Sequence, residues 1–159
     1  MAPSDELCLT SQSLEETRQI GRRLGELARA GDLFILTGKL GAGKTTLTQG
    51  IALGLGIKEN VLSPTFVLIR ELAGRLTLYH IDLYRLDRLE EIQGLGLDDY
   101  LYGNGVSVIE WGEKGAGFLP EVHLLIELSY TAENERSLRL KAYGERYRKI
   151  IRQLKAVLK

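Results

Sequence analysis

One cysteine, one tryptophan and three prolines stand among 159 residues, and each scarcity removes a class of protein. With Cys8 alone, no internal disulfide can form and no multi-cysteine metal site can be built. A reducing, cytoplasmic setting is therefore expected. No stretch approaches the ~18 consecutive apolar residues that a membrane-spanning helix needs, so no membrane association is expected. Residues 1–8 carry acids and lack the basic-then-apolar order of a secretory leader. Internal repeats, low-complexity tracts and Pro/Ser-rich linkers are missing as well, so residues 1–159 are expected to form a single domain. Net charge is also absent, with 21 basic residues against 21 acidic ones. The balance is nevertheless uneven: from Arg136 onward there are nine Lys or Arg against one acid, Glu145, a local +8. Such an excess suits a surface for an acidic protein or RNA. It equally suits a solvated helix face with basic residues towards its C-terminus.

What is present is ordinary globular material, 44% apolar and 26% charged. Residues 6–10 can form a short first strand. Ser13 followed by Glu16 has the form of a capping box, and Leu14, Thr17, Ile20, Gly21, Leu24 and Leu27 make a helical stripe ending near Gly31. The apolar run 32–37 reads as a buried strand. Helical spacing resumes through Leu47, Ile51 and Leu55 and closes at Gly56. Residues 66–72 and 76–83, separated by a tight turn at Ala73-Gly74, read as a hairpin. Residues 86–102 suit a short helix and a loop around Gly94 and Gly96. Residues 106–109 form a compact apolar strand, and 122–130 and 137–143 alternate as two antiparallel strands. An amphipathic basic helix over about 144–158 carries Tyr147, Ile150, Ile151, Leu154, Val157 and Leu158 on one side. The predicted fold is α/β, a three-layer mixed β-sheet flanked by helices.

Between the strand at 32–37 and the next helix stands G-K-L-G-A-G-K-T, residues 38–45. A triphosphate must be neutralised without being crowded. Gly38, Gly41 and Gly43 allow backbone angles that let successive N–H groups turn inward. A helix starting at about Lys44 adds its partly positive N-terminus. Lys44 would reach the β and γ phosphates of ATP, and the Thr45 hydroxyl would ligate Mg²⁺. A glycine turn joining strand to helix by chance is the plain alternative, but an apolar strand before and a periodic helix after supply the context of a P-loop NTPase. The expected nucleotide-binding run is Gly38, Lys39, Leu40, Gly41, Ala42, Gly43, Lys44, Thr45 and Thr46. No Asn-Lys-x-Asp guanine-reading element occurs, which favours adenine.

Acids at the ends of buried strands can hold the metal or aim a water. Glu110, after Val106-Ser-Val-Ile, is expected on the metal side, and Asp82, after Leu76-Thr-Leu-Tyr-His-Ile, in water orientation or behind the metal. Either could instead cap a loop. His80 shares Asp82's sheet face, and a lone histidine there is more often structural; His123 lies far along the chain. In Ser63-Pro-Thr-Phe, Thr65 can act as a switch-loop residue on the γ-phosphate or Mg²⁺, or both Ser63 and Thr65 can be turn residues. Trp111, beside Glu110, can pack against the site or face a partner, and as a single aromatic its plain reading is core. A small-molecule P-loop kinase is the rival reading, although no arginine-rich lid insertion is seen. A nucleotide-gated binding module is a third.

Taken in order, L-x-G-K-L-G-A-G-K-T-T, S-P-T-F, Y-H-I-D-L-Y-R-L, G-L-D-D-Y and V-I-E-W resemble the bacterial TsaE family. The resemblance runs from the Ser13 region to about Lys141. Lys39 stands where that family usually has an acid, and the basic C-terminal extension has no match. The resemblance implies an ATPase required for threonylcarbamoyladenosine formation at position 37 of tRNA, acting on a TsaB–TsaD complex and reaching tRNA through it. It implies functional roles for Lys44, Thr45, Thr65, Asp82, Glu110 and Trp111, with Thr45 and Glu110 as metal ligands. Ser11 and Arg136 fall where nucleotide contacts are allowed.

Overall fold

In a computed structural model of the chain, residues 2–39, 41–61, 69–86, 88–115, 117 and 119–158 are described. Along the chain come β1 (Asp5–Ser11), α1 (Leu14–Leu27), β2 (Leu33–Thr37), α2 (Lys44–Gly54), β3 (Ile69–Leu72) and β4 (Leu78–Asp82). Then follow α3 (Leu89–Gln93), α4 (Asp98–Leu101), β5 (Val106–Glu110), a 3₁₀ turn (Gly112–Gly115), β6 (His123–Ala132), β7 (Glu135–Tyr143) and α5 (Glu145–Val157). The strands form one sheet in the order β1-β7-β6-β2-β5-β4-β3. Its centre, β6-β2-β5-β4, is parallel, and antiparallel pairs make both edges.

Parallel strands covered on both faces need apolar residues at every position. β2 meets that demand: Phe34 and Leu36 pack towards α1, α2 and α5, while Leu33 and Ile35 pack towards α3, α4 and the 3₁₀ turn. The three-layer mixed sheet flanked by helices is what forms.

The stripe on α1 contains more than apolar side chains. A Cβ on Gly25 would lie 2.1 Å from the Ile51 carbonyl oxygen of α2, and one on Gly50 would lie 2.1 Å from the Arg18 carbonyl oxygen. The two helix backbones therefore touch, which only glycine at these positions permits. Ser13 caps α1 by accepting from Glu16 N (3.1 Å), as its position predicts, but the Glu16 carboxylate reaches Gln12 N rather than Ser13 N. α1 ends at Leu27, earlier than its stripe suggested, because Ala28 leaves helical geometry.

Between β3 and β4 the chain does not make a tight turn at Ala73-Gly74. Residues 73–77 loop outward onto the helix ends, where Arg75 N donates to Leu55 O (2.6 Å) and Arg75 Nη2 to Gly25 O (2.9 Å) and Ala28 O (3.0 Å). Tertiary satisfaction of those carbonyls overrides the local turn signal. The 86–102 segment holds two short helices instead of one.

The basic C-terminal helix is anchored from its first turn. Arg146 makes a two-pronged ion pair with Asp32, Nε to Oδ1 at 2.9 Å and Nη2 to Oδ2 at 2.7 Å, and also donates to Leu27 O (2.9 Å). Leu33 N donates to Tyr147 Oη (2.9 Å), while Ile150, Ile151 and Leu154 are fully buried. Lys149, Arg152 and Lys155 are thus the outer side of a helix that belongs to the core, while Arg146 faces inward.

Two outcomes are expected. Gly25→Ala lowers stability by about 1–3 kcal/mol in urea unfolding, although alanine is the better helix former, because overpacking forces the helices apart. An unchanged midpoint would contradict backbone contact. Burial pushes the Tyr147 phenol up from 10.0 to about 12. The unfolded chain then loses this proton first, so stability falls as pH rises from 10 towards 12. Tyr147→Phe flattens that part of the stability-against-pH curve.

Candidate functional site

The loop that leaves β2 turns back as α2 through three glycines of positive φ: Gly38 at 143°, Gly41 at 81° and Gly43 at 106°. At Gly38 a Cβ would stand 2.5 Å from the Leu128 carbonyl oxygen, so the strand β6 forbids a side chain there. Ala42 is buried, and its N–H donates to Lys39 O (3.0 Å), which closes the loop on itself. Gly43 is the N-cap of α2, and among the described residues no side chain caps this helix. Its first-turn N–H groups are consequently available to an anion. Lys39 is exposed and Thr46 half-buried on the first turn; Leu40 lies outside the described residues.

Lys44 is 5% exposed. Its ammonium donates to Gly38 O and to Lys39 O (3.2 Å) and lies 3.6 Å from the centre of the Trp111 ring. Burial lowers its pKa, against the opposing pull of Glu113, Glu110 and Asp82. Trp111 is the one residue other than glycine with positive φ, 62°, among the described residues. Such a conformation costs about 1–3 kcal/mol and persists only where its surroundings hold it. Here Tyr84 stacks on the indole with centroids 4.8 Å apart, and Lys44 sits over the ring.

Asp82 and Glu110 end the neighbouring strands β4 and β5 and are register partners. Side chains two apart share a sheet face, so Leu78, His80 and Asp82 lie together, as do Val106, Val108 and Glu110. Glu110 is 2% exposed, and its two oxygens have separate partners. Oε1 accepts from Thr45 Oγ1 (3.2 Å), and Oε2 pairs with His80 Nε2. Asp82, 6% exposed, accepts from Tyr84 N (2.9 Å) and so also fixes the loop that carries Tyr84. Lys44, Thr45, Asp82, Glu110 and Trp111 are therefore brought to one place. Thr65 and Ser63 lie outside the described residues.

Ser11 and Arg136 are placed differently. Ser11 is fully buried, and its hydroxyl is engaged with Ser13 O (2.7 Å) and Thr17 Oγ1 (2.7 Å) at the start of α1. Its register partner Arg136 lies over the Tyr130 ring, 4.0 Å from the centroid. Tyr130 in turn stands against the loop, since a Cβ on Gly41 would be 2.4 Å from its hydroxyl. Beside it a cavity of about 620 Å³ is lined by Thr37, Gly38, Lys39, Tyr130, Ser137 and Arg139 among others. Tyr130 and the bond from His80 to Glu110 escape sequence reasoning, because both depend on strand register. For His80 the available signal was its place two residues before Asp82.

Among the described residues no three His, Cys, Asp or Glu side chains converge as a metal cage, and no helix is long and apolar enough to cross a membrane. Comparison with known proteins gives a consistent answer. The family model "Threonylcarbamoyl adenosine biosynthesis protein TsaE" matches residues 11–138. The tRNA threonylcarbamoyladenosine biosynthesis protein TsaE of Treponema pallidum is 46% identical over 128 residues, 80% of this chain and 95% of that protein. Its namesake from Bacillus subtilis is 43% identical over 141 residues, 88% of each chain. The crystal structure of Bacillus YdiB superposes with a TM-score of 0.87 at 36% identity, covering 98% of this chain and 97% of that one. With the family model spanning the glycine loop, both strand-end acids and most of the sheet, the chain belongs to the TsaE family.

Proposed function

We infer that the protein is the ATP-binding and ATP-hydrolysing subunit required for threonylcarbamoyladenosine modification at position 37 of tRNA, acting in the cytoplasm on a TsaB–TsaD-type complex. The observation that carries this reading is the Thr45–Glu110 contact of 3.2 Å across the mouth of an uncapped helix N-terminus. A hydroxyl and a carboxylate are the hard oxygen donors that Mg²⁺ takes, and Mg²⁺ usually binds through one or two protein groups together with substrate phosphates. Two such donors, without a larger cage among the described residues, fit that pattern. When bound, Mg²⁺ supplies neutralisation of the charge that develops on the transferred phosphoryl group.

The chain's own residues do the rest. Loop N–H groups and the α2 N-terminus face the phosphates. Lys44 exchanges its contacts with Gly38 O, Lys39 O and Trp111 for the β and γ phosphates, so the nucleotide recovers a cation that is already held close by. Asp82 orients water or supports the metal from behind. Thr65 is assigned to the γ-phosphate side on sequence alone. The cavity beside Lys39 and Tyr130 is of the size range that takes a small ligand, and it is assigned to the base and ribose, with Arg136 behind Tyr130. Ser11 supports that wall through β1 and α1 rather than by direct contact.

Lys44→Met is expected to keep the fold, by circular dichroism, and to lose ATP affinity tenfold or more through loss of charge-assisted contacts. Glu110→Ala is expected to retain ATP binding measured in EDTA and to lose Mg²⁺-dependent turnover by about 10²-fold. Turnover equal to wild type would remove Glu110 from the reaction. Phosphate release should rise when a purified TsaB–TsaD complex is added. If release ignores that complex while a small-molecule acceptor becomes phosphorylated, the protein is a kinase instead.

A further inference from the structure

We propose that His80 is a positioning residue for Glu110: it holds the carboxylate in the orientation that presents Oε1 to Thr45, the pair that would hold Mg²⁺. The proposal rests on the Mg²⁺–ATP reading above.

His80 lies in the middle of β4, opposite Val108 of β5, on the sheet face that carries Leu78 and Val108, both fully buried. An apolar side chain would suit that position. The imidazole is fully buried too, and burying a polar group costs free energy unless it is hydrogen-bonded. One ring nitrogen, Nε2, meets Glu110 Oε2; the other, Nδ1, has no hydrogen-bond partner among the described residues. Among the described residues its one polar contact is therefore with the Glu110 carboxylate beside the glycine loop. A position that breaks the apolar rule with only half of its polar capacity used is costly for folding alone.

The same asymmetry selects the tautomer. With the proton on Nε2, the ring donates to a carboxylate, and the partnerless Nδ1 is merely an acceptor. With the proton on Nδ1, a donor would be buried unpaired, and Nε2 could engage only a protonated Glu110. The first arrangement satisfies more groups.

The consequence for Glu110 is geometric. A glutamate has three rotatable side-chain bonds, and fixing them at the moment of metal binding costs conformational entropy. With Oε2 tied to His80, Oε1 is aimed at Thr45 beforehand. Partners of this kind around a ligating carboxylate typically change metal affinity by about 10–100-fold.

The test compares His80→Leu, which fills the space without a donor, with His80→Gln, whose amide can donate to Oε2 from a similar reach. Mn²⁺ binding to the ADP-loaded protein, followed by electron paramagnetic resonance, is expected to weaken about tenfold or more in His80→Leu. It should be largely restored in His80→Gln, with ADP affinity in EDTA unchanged in both. Unaltered Mn²⁺ affinity in a folded His80→Leu would overturn the proposal, as would equal loss in both variants. Should His80→Leu fail to fold, two-bond ¹⁵N–¹H spectra of the unmodified protein decide. A proton on Nε2 supports the assignment, and an Nε2 without one overturns it. If wild-type protein shows no metal-dependent nucleotide binding at all, the Mg²⁺–ATP reading fails, separately from the role of His80.

Discussion

The hydrogen bond from Thr45 to Glu110 ties the first turn of α2 to the end of β5, and most of the molecule serves to bring those two ends together. Parallel strands β2 and β5 direct their C-terminal ends to the same edge of the sheet, which is where open α/β folds place ligands. α2 must then lie close against the sheet with its N-terminus at that edge. Its depth is set from behind, because the glycines of α1 and α2 let the two backbones touch. Loss of that contact would move the whole helix, and with it Thr45 and Lys44. The core is in this sense a positioning device for one helix end.

Much of this was legible from the sequence. Gly38, Gly41 and Gly43 announced a sharp glycine loop between strand and helix, because positive φ leaves few alternatives, and all three have it. The uninterrupted apolar run at β2 announced a strand covered on both faces. Less was legible wherever a distant partner decides the outcome. Ala73-Gly74 has the residues of a tight turn, yet carbonyls at the ends of α1 and α2 draw Arg75 onto themselves and open the loop. The basic run after Arg136 read equally well as a binding surface or a solvated face. The ion pair of Arg146 with Asp32 shows that at least one of those cations is structural. Ser11 was placed near the nucleotide by resemblance, but its hydroxyl is spent on α1. Only partners from other elements separate these cases, and such partners are not written in local composition.

Asp82 and Glu110 carry the sharpest version of the same point. From sequence they are alike, each an acid closing an apolar strand, and the sheet sets them side by side as register partners. Their surroundings then divide the work. Glu110 is nearly sealed, with one oxygen towards His80 and the other towards Thr45. Asp82 accepts from the backbone of Tyr84, whose ring lies on Trp111, whose own ring carries Lys44. One acid is thus coupled to the Thr45 hydroxyl on the first turn of α2, and the other to Lys44 through two aromatic rings. Two residues of the same chemistry meet different environments, which is how like groups are set apart. Exchanging their roles would require moving a histidine and a tyrosine as well.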